Sequence, residues 1–302
     1  MKAPPQSATS TPAAVFIVQP KGLRRYWGLF RRACVAAYED NCFGIAKGAA
    51  YSALLAFFPM LATIAAILVQ ANAESVSRVL SRFLFQVVPP GSENLVEGQF
   101  RVIGQRPIWL LFGATLLSLW AASGAMISLM EGFQAAYRLP SGRPFLRQRM
   151  VAFLMVITLA LPAVGASALI LFGSRIERSV YDKLGVAPEG QEIKAWIPVV
   201  GTGSRYVVAI ATVILVTALL YYFGINKPMR LKRAWPGALL ATIFWMLATL
   251  GFAWYVRNIA NYNVMYGSIG AVIALLVWMY LLAIVALLGC EYNAERDRMA
   301  GC

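Results

Sequence analysis

Along the chain, apolar positions gather into long runs separated by short polar segments. A membrane-spanning helix needs about 20 mostly apolar residues to cross roughly 30 Å of hydrocarbon. Six runs have that character: 44–69, 108–130, 150–173, 205–224, 237–256 and 267–290. The runs 108–130, 150–173, 205–224 and 267–290 carry almost no charge except at their ends. The run 44–69 holds Lys47 and Pro59, and 237–256 is followed at once by Arg257. Two other segments repeat apolar residues at three- and four-residue steps, the helical period. In 21–38 the stripe is Leu23, Tyr26, Trp27, Phe30, Cys34 and Ala37, with Arg24, Arg25, Arg31 and Arg32 off it. This predicts a basic amphipathic helix on an anionic leaflet. It serves either to anchor the first span or to gather acidic headgroups. In 74–88 the stripe is Val76, Val79, Leu80, Phe83, Leu84 and Val87, ending at Pro89-Pro90. This predicts a second interfacial helix, between the first and second spans. Residues 1–20, rich in Pro, Ser, Thr and Ala, are expected to be a disordered tail. The remainder, 21–302, is then one domain of an all-α integral membrane protein.

Composition agrees with this pattern. Hydrophobic residues make up 60% of the 302 and charged residues 13%; a soluble domain is nearer one half and one quarter. The net charge is +14, and its distribution sets the expected orientation. Sixteen lysines and arginines fall to the side of the termini and ten to the other, Lys47 apart. The loop 225–236 is the sharpest case, with Lys227, Arg230, Lys232 and Arg233 and no acid. By the positive-inside rule both termini are expected in the cytoplasm. The chain contains no histidine, which removes most general-base and metal chemistry. No catalytic residues, metal or other cofactor are therefore expected, and the chain is not expected to be an enzyme. Cys34, Cys42, Cys290 and Cys302 form no CxxC pair and fall near the reducing face, as free thiols would.

Several features inside the spans suggest a substrate path. Gly44, Gly48, Ser52 and Ala56 recur every four residues, a spacing that lets another helix approach closely. Pro59 lies in the middle of the same span and is expected to kink it, as Pro162 can the third. Lys47, with Tyr51 one turn on, lies about one turn from the expected cytoplasmic end. An intramembrane charge is costly and usually paired. Glu131 and Glu291, which end the second and sixth spans on that side, are the candidate partners; the alternative is that Lys47 snorkels to the headgroups. The stretch with Tyr262, Asn263, Tyr266 and Gly267 joins the last two spans. It reads either as an interfacial aromatic belt or as a polar lip above a cavity.

These residues resemble the YihY/BrkB family of bacterial inner-membrane proteins. The likeness rests on Ala49-Ala50-Tyr51-Ser52-Ala53-Leu54-Leu55-Ala56-Phe57-Phe58-Pro59, on Tyr137-Arg138 with Arg143-Pro144-Phe145 and Arg147, on Tyr266-Gly267-Ser268-Ile269-Gly270, and on Gly289-Cys290-Glu291-Tyr292-Asn293-Ala294. It runs over roughly 24–298; Met130-Glu131-Gly132-Phe133-Gln134 departs from that family's pattern. The resemblance implies six spans. It also brings a legacy name, ribonuclease BN, a virulence association, and a link of some members to moving lipid or lipopolysaccharide precursors. It supplies no catalytic residues.

A ribonuclease needs a general acid and base or a metal centre, which a histidine-free chain with no soluble domain does not offer. A membrane-embedded lipid enzyme wants a nucleophile with a base; Ser52 and Ser123 have no recognisable one. Movement of a lipid or anionic amphiphile fits the small-residue first span, the charge near the inner face and the polar lip. The expected partners are then membrane lipids, anionic headgroups first, and no nucleic acid. The rival is a non-transporting scaffold that docks an envelope protein.

Overall fold

The computed structural model describes residues 23–70, 108–140, 143–184, 191–227, 229–258 and 268–301. Among them are seven α-helices and no strand: α1 (Leu23–Glu39), α2 (Cys42–Gln70), α3 (Ile108–Ala136), α4 (Phe145–Leu184), α5 (Gln191–Gly224), α6 (Leu231–Asn258) and α7 (Ser268–Met299). The six from α2 to α7 are each long and apolar enough to cross a membrane. The second interfacial helix expected at 74–88 lies outside the described residues, as do the tail 1–20 and Tyr262, Asn263, Tyr266 and Gly267.

Each span packs on its sequence neighbours, and α7 returns against α2 and α3. Lipid tails are as apolar as leucine, so helix association in a membrane rests on close packing and interhelical hydrogen bonds. The broadest contact is α2 on α3, where small residues face each other. A Cβ on Gly48 would meet Ser128 Oγ at 3.5 Å, and one on Gly124 would meet Ser52 Oγ at 3.3 Å. Gly48 and Ser52 of the four-residue spacing in α2 thus lie on its seam with α3. The main core lies toward the end of the bundle where α2 begins and α7 finishes, here the terminal end. It includes Cys42, Ala46, Met130, Phe133, Met155, Tyr221 and Leu287. A smaller cluster joins α2, α6 and α7 farther along, around Phe57, Leu61, Phe252 and Leu275.

Three features differ from the sequence pattern. The buried face of α1 is Leu29, Ala33, Ala36 and Ala37, while Tyr26 and Trp27 are 64% and 68% exposed. The helix docks on α7 through Leu29, Ala33 and Tyr292, and Phe30 stacks on Phe244 of α6 at 5.4 Å, so of the aromatics in the expected stripe Tyr26 and Trp27 are left outside. Secondly, α6 starts at Leu231 and runs through Pro236, where a start after the proline was expected. A helical proline lacks one donor and disturbs the bonds around it. The first turns of α6 are instead served from α7: Gly237 N donates to Asn293 Oδ1 at 2.8 Å, and Asn293 Nδ2 donates to Ala234 O at 3.0 Å. Arg296 Nη2 also donates to Arg233 O at 2.8 Å. Thirdly, α7 continues past residue 290 to Met299, because its polar final turns are packed against other helices.

Two junctions use a left-handed residue. Asn41, at φ 53°, turns α1 into α2; asparagine tolerates this region better than most residues. Arg138, at φ 49°, follows α3. Leu139 N donates to Gln134 O at 3.0 Å and Arg138 N to Ala135 O at 2.8 Å, the hydrogen-bond pair of a Schellman cap.

Candidate functional site

The terminal end concentrates the buried polar groups. Glu291, Asn293 and Asp297 are buried on the last turns of α7, where a charge or amide needs partners. Each reaches a different helix. Glu291 Oε1 accepts from Cys42 Sγ at 3.5 Å, at the start of α2. Asn293 bridges to α6 through the two bonds at Gly237 and Ala234. Asp297 Oδ2 accepts from Tyr137 Oη at 3.3 Å, just beyond α3. Burial, and next the neighbouring Cys290 and Asp297, push the Tyr137 phenol well above its usual range, so it stays a donor. Arg298 completes the set by donating to Glu295 and to Ala136 O. The closing segment of α7 therefore ties α2, α3 and α6 together. Two carboxylate oxygens at this end, Asp40 Oδ2 and Glu291 Oε2, are buried without a hydrogen-bond partner.

Tyr221, wholly buried in α5, donates its hydroxyl to Ala286 O of α7 at 2.7 Å. Its ring meets Phe133 edge-on at 5.3 Å. A Cβ on Gly289 would overlap the Tyr221 hydroxyl and the Gly237 carbonyl, and one on Gly237 would overlap the Gly289 carbonyl and Asn293. Both glycines are required by this close approach of α6 to α7, not by backbone conformation.

Of the residues expected to form a path, the described ones are Lys47, Tyr51, Pro59, Glu131 and Glu291, and Lys47 meets neither carboxylate. Lys47 and Tyr51 share the exposed face of α2, Tyr51 being 59% exposed. Glu131 is exposed and Glu291 is fully buried. Lys47 forms no ion pair with either, and from Glu291 the helix turns it away. Glu291 meets α2 at Cys42, and five residues along a helix is a rotation of about 140°. Pro59 lies within the uninterrupted α2, with Thr63 Oγ1 donating to its carbonyl at 2.9 Å. Cys34, Cys42 and Cys290 are all free thiols. Among the described residues no group of three His, Cys, Asp or Glu side chains is placed to hold a metal ion.

Among the described residues, two concavities lie elsewhere. One, of about 610 Å³, opens at the terminal end between the start of α4 and the end of α5; its walls include Arg143, Lys227 and Arg230 with Tyr222, Phe223 and Asn226. Arg143 Nη2 donates to Phe223 O at 3.4 Å, while its Nη1 is buried with no partner. The other is a crevice of about 170 Å³ between α5, α6 and α7, lined by Val213, Thr217, Leu220, Thr242, Trp245 and their neighbours. These cations are visible in the sequence. Their pattern is equally that of positive-inside loops, so only the fold separates a pocket wall from a topology signal.

The profile of the virulence factor BrkB family matches residues 33–301. A ribonuclease-like protein of Bacillus subtilis, YfkH, is 30% identical over 249 residues, covering 81% of this chain and 86% of its own length. A UPF0761 membrane protein of Alteromonas mediterranea is 29% identical over 276 residues, covering 90% and 88%. One from Vibrio vulnificus is 28% identical over 276 residues, covering 88% and 81%. No solved structure matches the chain. With six apolar spans and a family match running from α1 to the close of α7, the chain belongs to the virulence factor BrkB family of multi-pass membrane proteins.

Proposed function

We propose that this protein moves a lipid or other anionic amphiphile across or within the bacterial inner membrane, with its terminal end in the cytoplasm. One observation carries the reading: the cation-walled cavity and the mostly apolar crevice share helix α5. Tyr222 and Phe223 edge the first, and Leu220, two residues back, edges the second. A headgroup and an acyl chain need that succession of surfaces, charged at the membrane edge and apolar within it. The excess of lysine and arginine in the loops on that side supports the orientation. Lys47, exposed near the same end of α2, supplies a further cation toward the headgroup layer. The kink expected at Pro59 belongs to this reading as a hinge of the first span.

The name of the Bacillus relative invites a nuclease reading. It draws no support from the chemistry here. The chain has no histidine, and Glu291 and Asp297 accept from a thiol and a phenol inside the helix packing. A lipid carrying a photoreactive group in its acyl chain tests the proposal in membranes that contain the full chain. Labelling within 213–245, prevented by Thr217→Trp, is the expected result. Labelling unaffected by that substitution refutes the crevice as part of the path.

A further inference from the structure

We infer that the cavity walled by Arg143, Lys227 and Arg230 binds the phosphate group of an anionic amphiphile. The inference rests on the function proposed above for the lipid source of that group, and it names what the terminal end accepts. Positive-inside topology accounts for basic residues in these loops but not for their arrangement. Three cations face one concavity, and among the described residues its lining includes no carboxylate. One of them is held in place: Arg143 Nη2 bonds the last turn of α5, and Nη1 stays buried without an acceptor. Burial, and then the Arg147 charge, pull that guanidinium below its usual range, so it gains from an anion beside it. Guanidinium groups present paired donors that match phosphate oxygens, and ammonium and amide groups complete a multi-oxygen contact; Lys227 and Asn226 are placed to do so. The volume, about 610 Å³, is in the range of a small-ligand pocket, about 300–1,000 Å³. Tyr222 and Phe223 in its wall are partly exposed aromatics at the end of an apolar span, where such rings meet the headgroup layer. That favours a lipid over free phosphate as the source.

The test is equilibrium binding of a fluorescent short-chain phosphatidic acid to the purified full chain in detergent. Matched diacylglycerol and phosphatidylcholine probes are run beside it. Phosphatidic acid is expected to bind at least about tenfold tighter than diacylglycerol, and Arg143→Gln or the double variant Lys227→Gln/Arg230→Gln to remove that preference. Arg143→Lys retains part of it. Lys232→Gln, which removes one charge outside the cavity, leaves it unchanged. Retained elution volume and melting temperature show that each variant is folded. Displacement of the probe by millimolar inorganic phosphate as readily as by phosphatidic acid overturns the lipid source and assigns free phosphate. Equal binding of all three probes, or equal losses in Arg143→Gln and Lys232→Gln, overturns the site. Selective binding by a chain that moves no lipid refutes the transport reading and leaves the site standing.

Discussion

Asn293→Ala is expected to destabilise the bundle by about 2–3 kcal/mol, a large share of the roughly 5–15 kcal/mol of a typical fold. The side chain is fully buried and makes two bonds across α6 and α7, at 2.8 and 3.0 Å. Its removal leaves the Gly237 N–H and the Ala234 carbonyl without that partner beside Pro236. An orphaned buried polar group costs about 1–3 kcal/mol, which for two sets an upper figure near 6. Interhelical hydrogen bonds in membranes are worth about 0.6 kcal/mol on average and at most about 1.7, which for two sets a lower figure near 1. The proline favours a value above the lower figure, because the first turns of α6 have fewer bonds of their own to fall back on. Cys42 and Cys290 supply the assay, being buried free thiols on α2 and α7. A thiol-reactive fluorophore followed during heating reports when this end opens, and a shift of about 5 °C or more is expected. Asn293→Asp keeps the acceptor for Gly237 but loses the donor to Ala234, so it should also fall, while Thr212→Ala on the outer part of α5 should not. Melting of Asn293→Ala within about 0.5 kcal/mol of wild type would refute the clamp, since that is the scatter of ordinary surface substitutions.

Other outcomes follow from the same packing. Gly289→Ala places a methyl against the Gly237 carbonyl and the Tyr221 hydroxyl; it should cost about 2 kcal/mol or more by overpacking, and its effect should not add to that of Gly237→Ala. Tyr221→Phe loses one bond to Ala286 O and should cost about 1 kcal/mol in the same melt. Arg138→Gly relieves a left-handed side chain and should raise stability by about 0.5 kcal/mol; a clear loss would show that Arg138 makes contacts worth more than its backbone strain. In the folded protein, maleimide should modify neither Cys42 nor Cys290 until a denaturing detergent such as dodecyl sulfate unfolds the chain, as judged by mass on a Cys34→Ser/Cys302→Ser variant; modification before unfolding would contradict their burial.

The spans were legible because a charge-free run of membrane length has few alternatives. Their ends were less so. Pro236 looks like a helix boundary from its own sequence, and only Asn293 and Arg296, far along the chain, show why α6 passes through it. Glu291, Asn293 and Asp297 look like the charged close of a span. That a helix continues through them with all three buried was the signal of a polar clamp. The spacing in α2 correctly marked a close helix contact. Lys47 read as pairing with Glu131 or Glu291 or as snorkelling to the headgroups; its angle on the helix excludes Glu291, and its exposure fits snorkelling. The basic cavity brings Arg143 to Phe223, 80 residues apart, and no local period encodes that meeting.

Lipid translocation by the purified chain in liposomes tests the proposed transport itself. Fluorescent lipids of anionic and zwitterionic headgroup are each quenched from the outer leaflet by a membrane-impermeant reductant. The protein is expected to carry the anionic probe between leaflets faster than it moves in protein-free vesicles. Arg143→Gln and Lys47→Ala are expected to lower that rate while leaving zwitterionic probes little changed. A wild-type rate equal to that of protein-free vesicles for every headgroup would contradict the proposed transport.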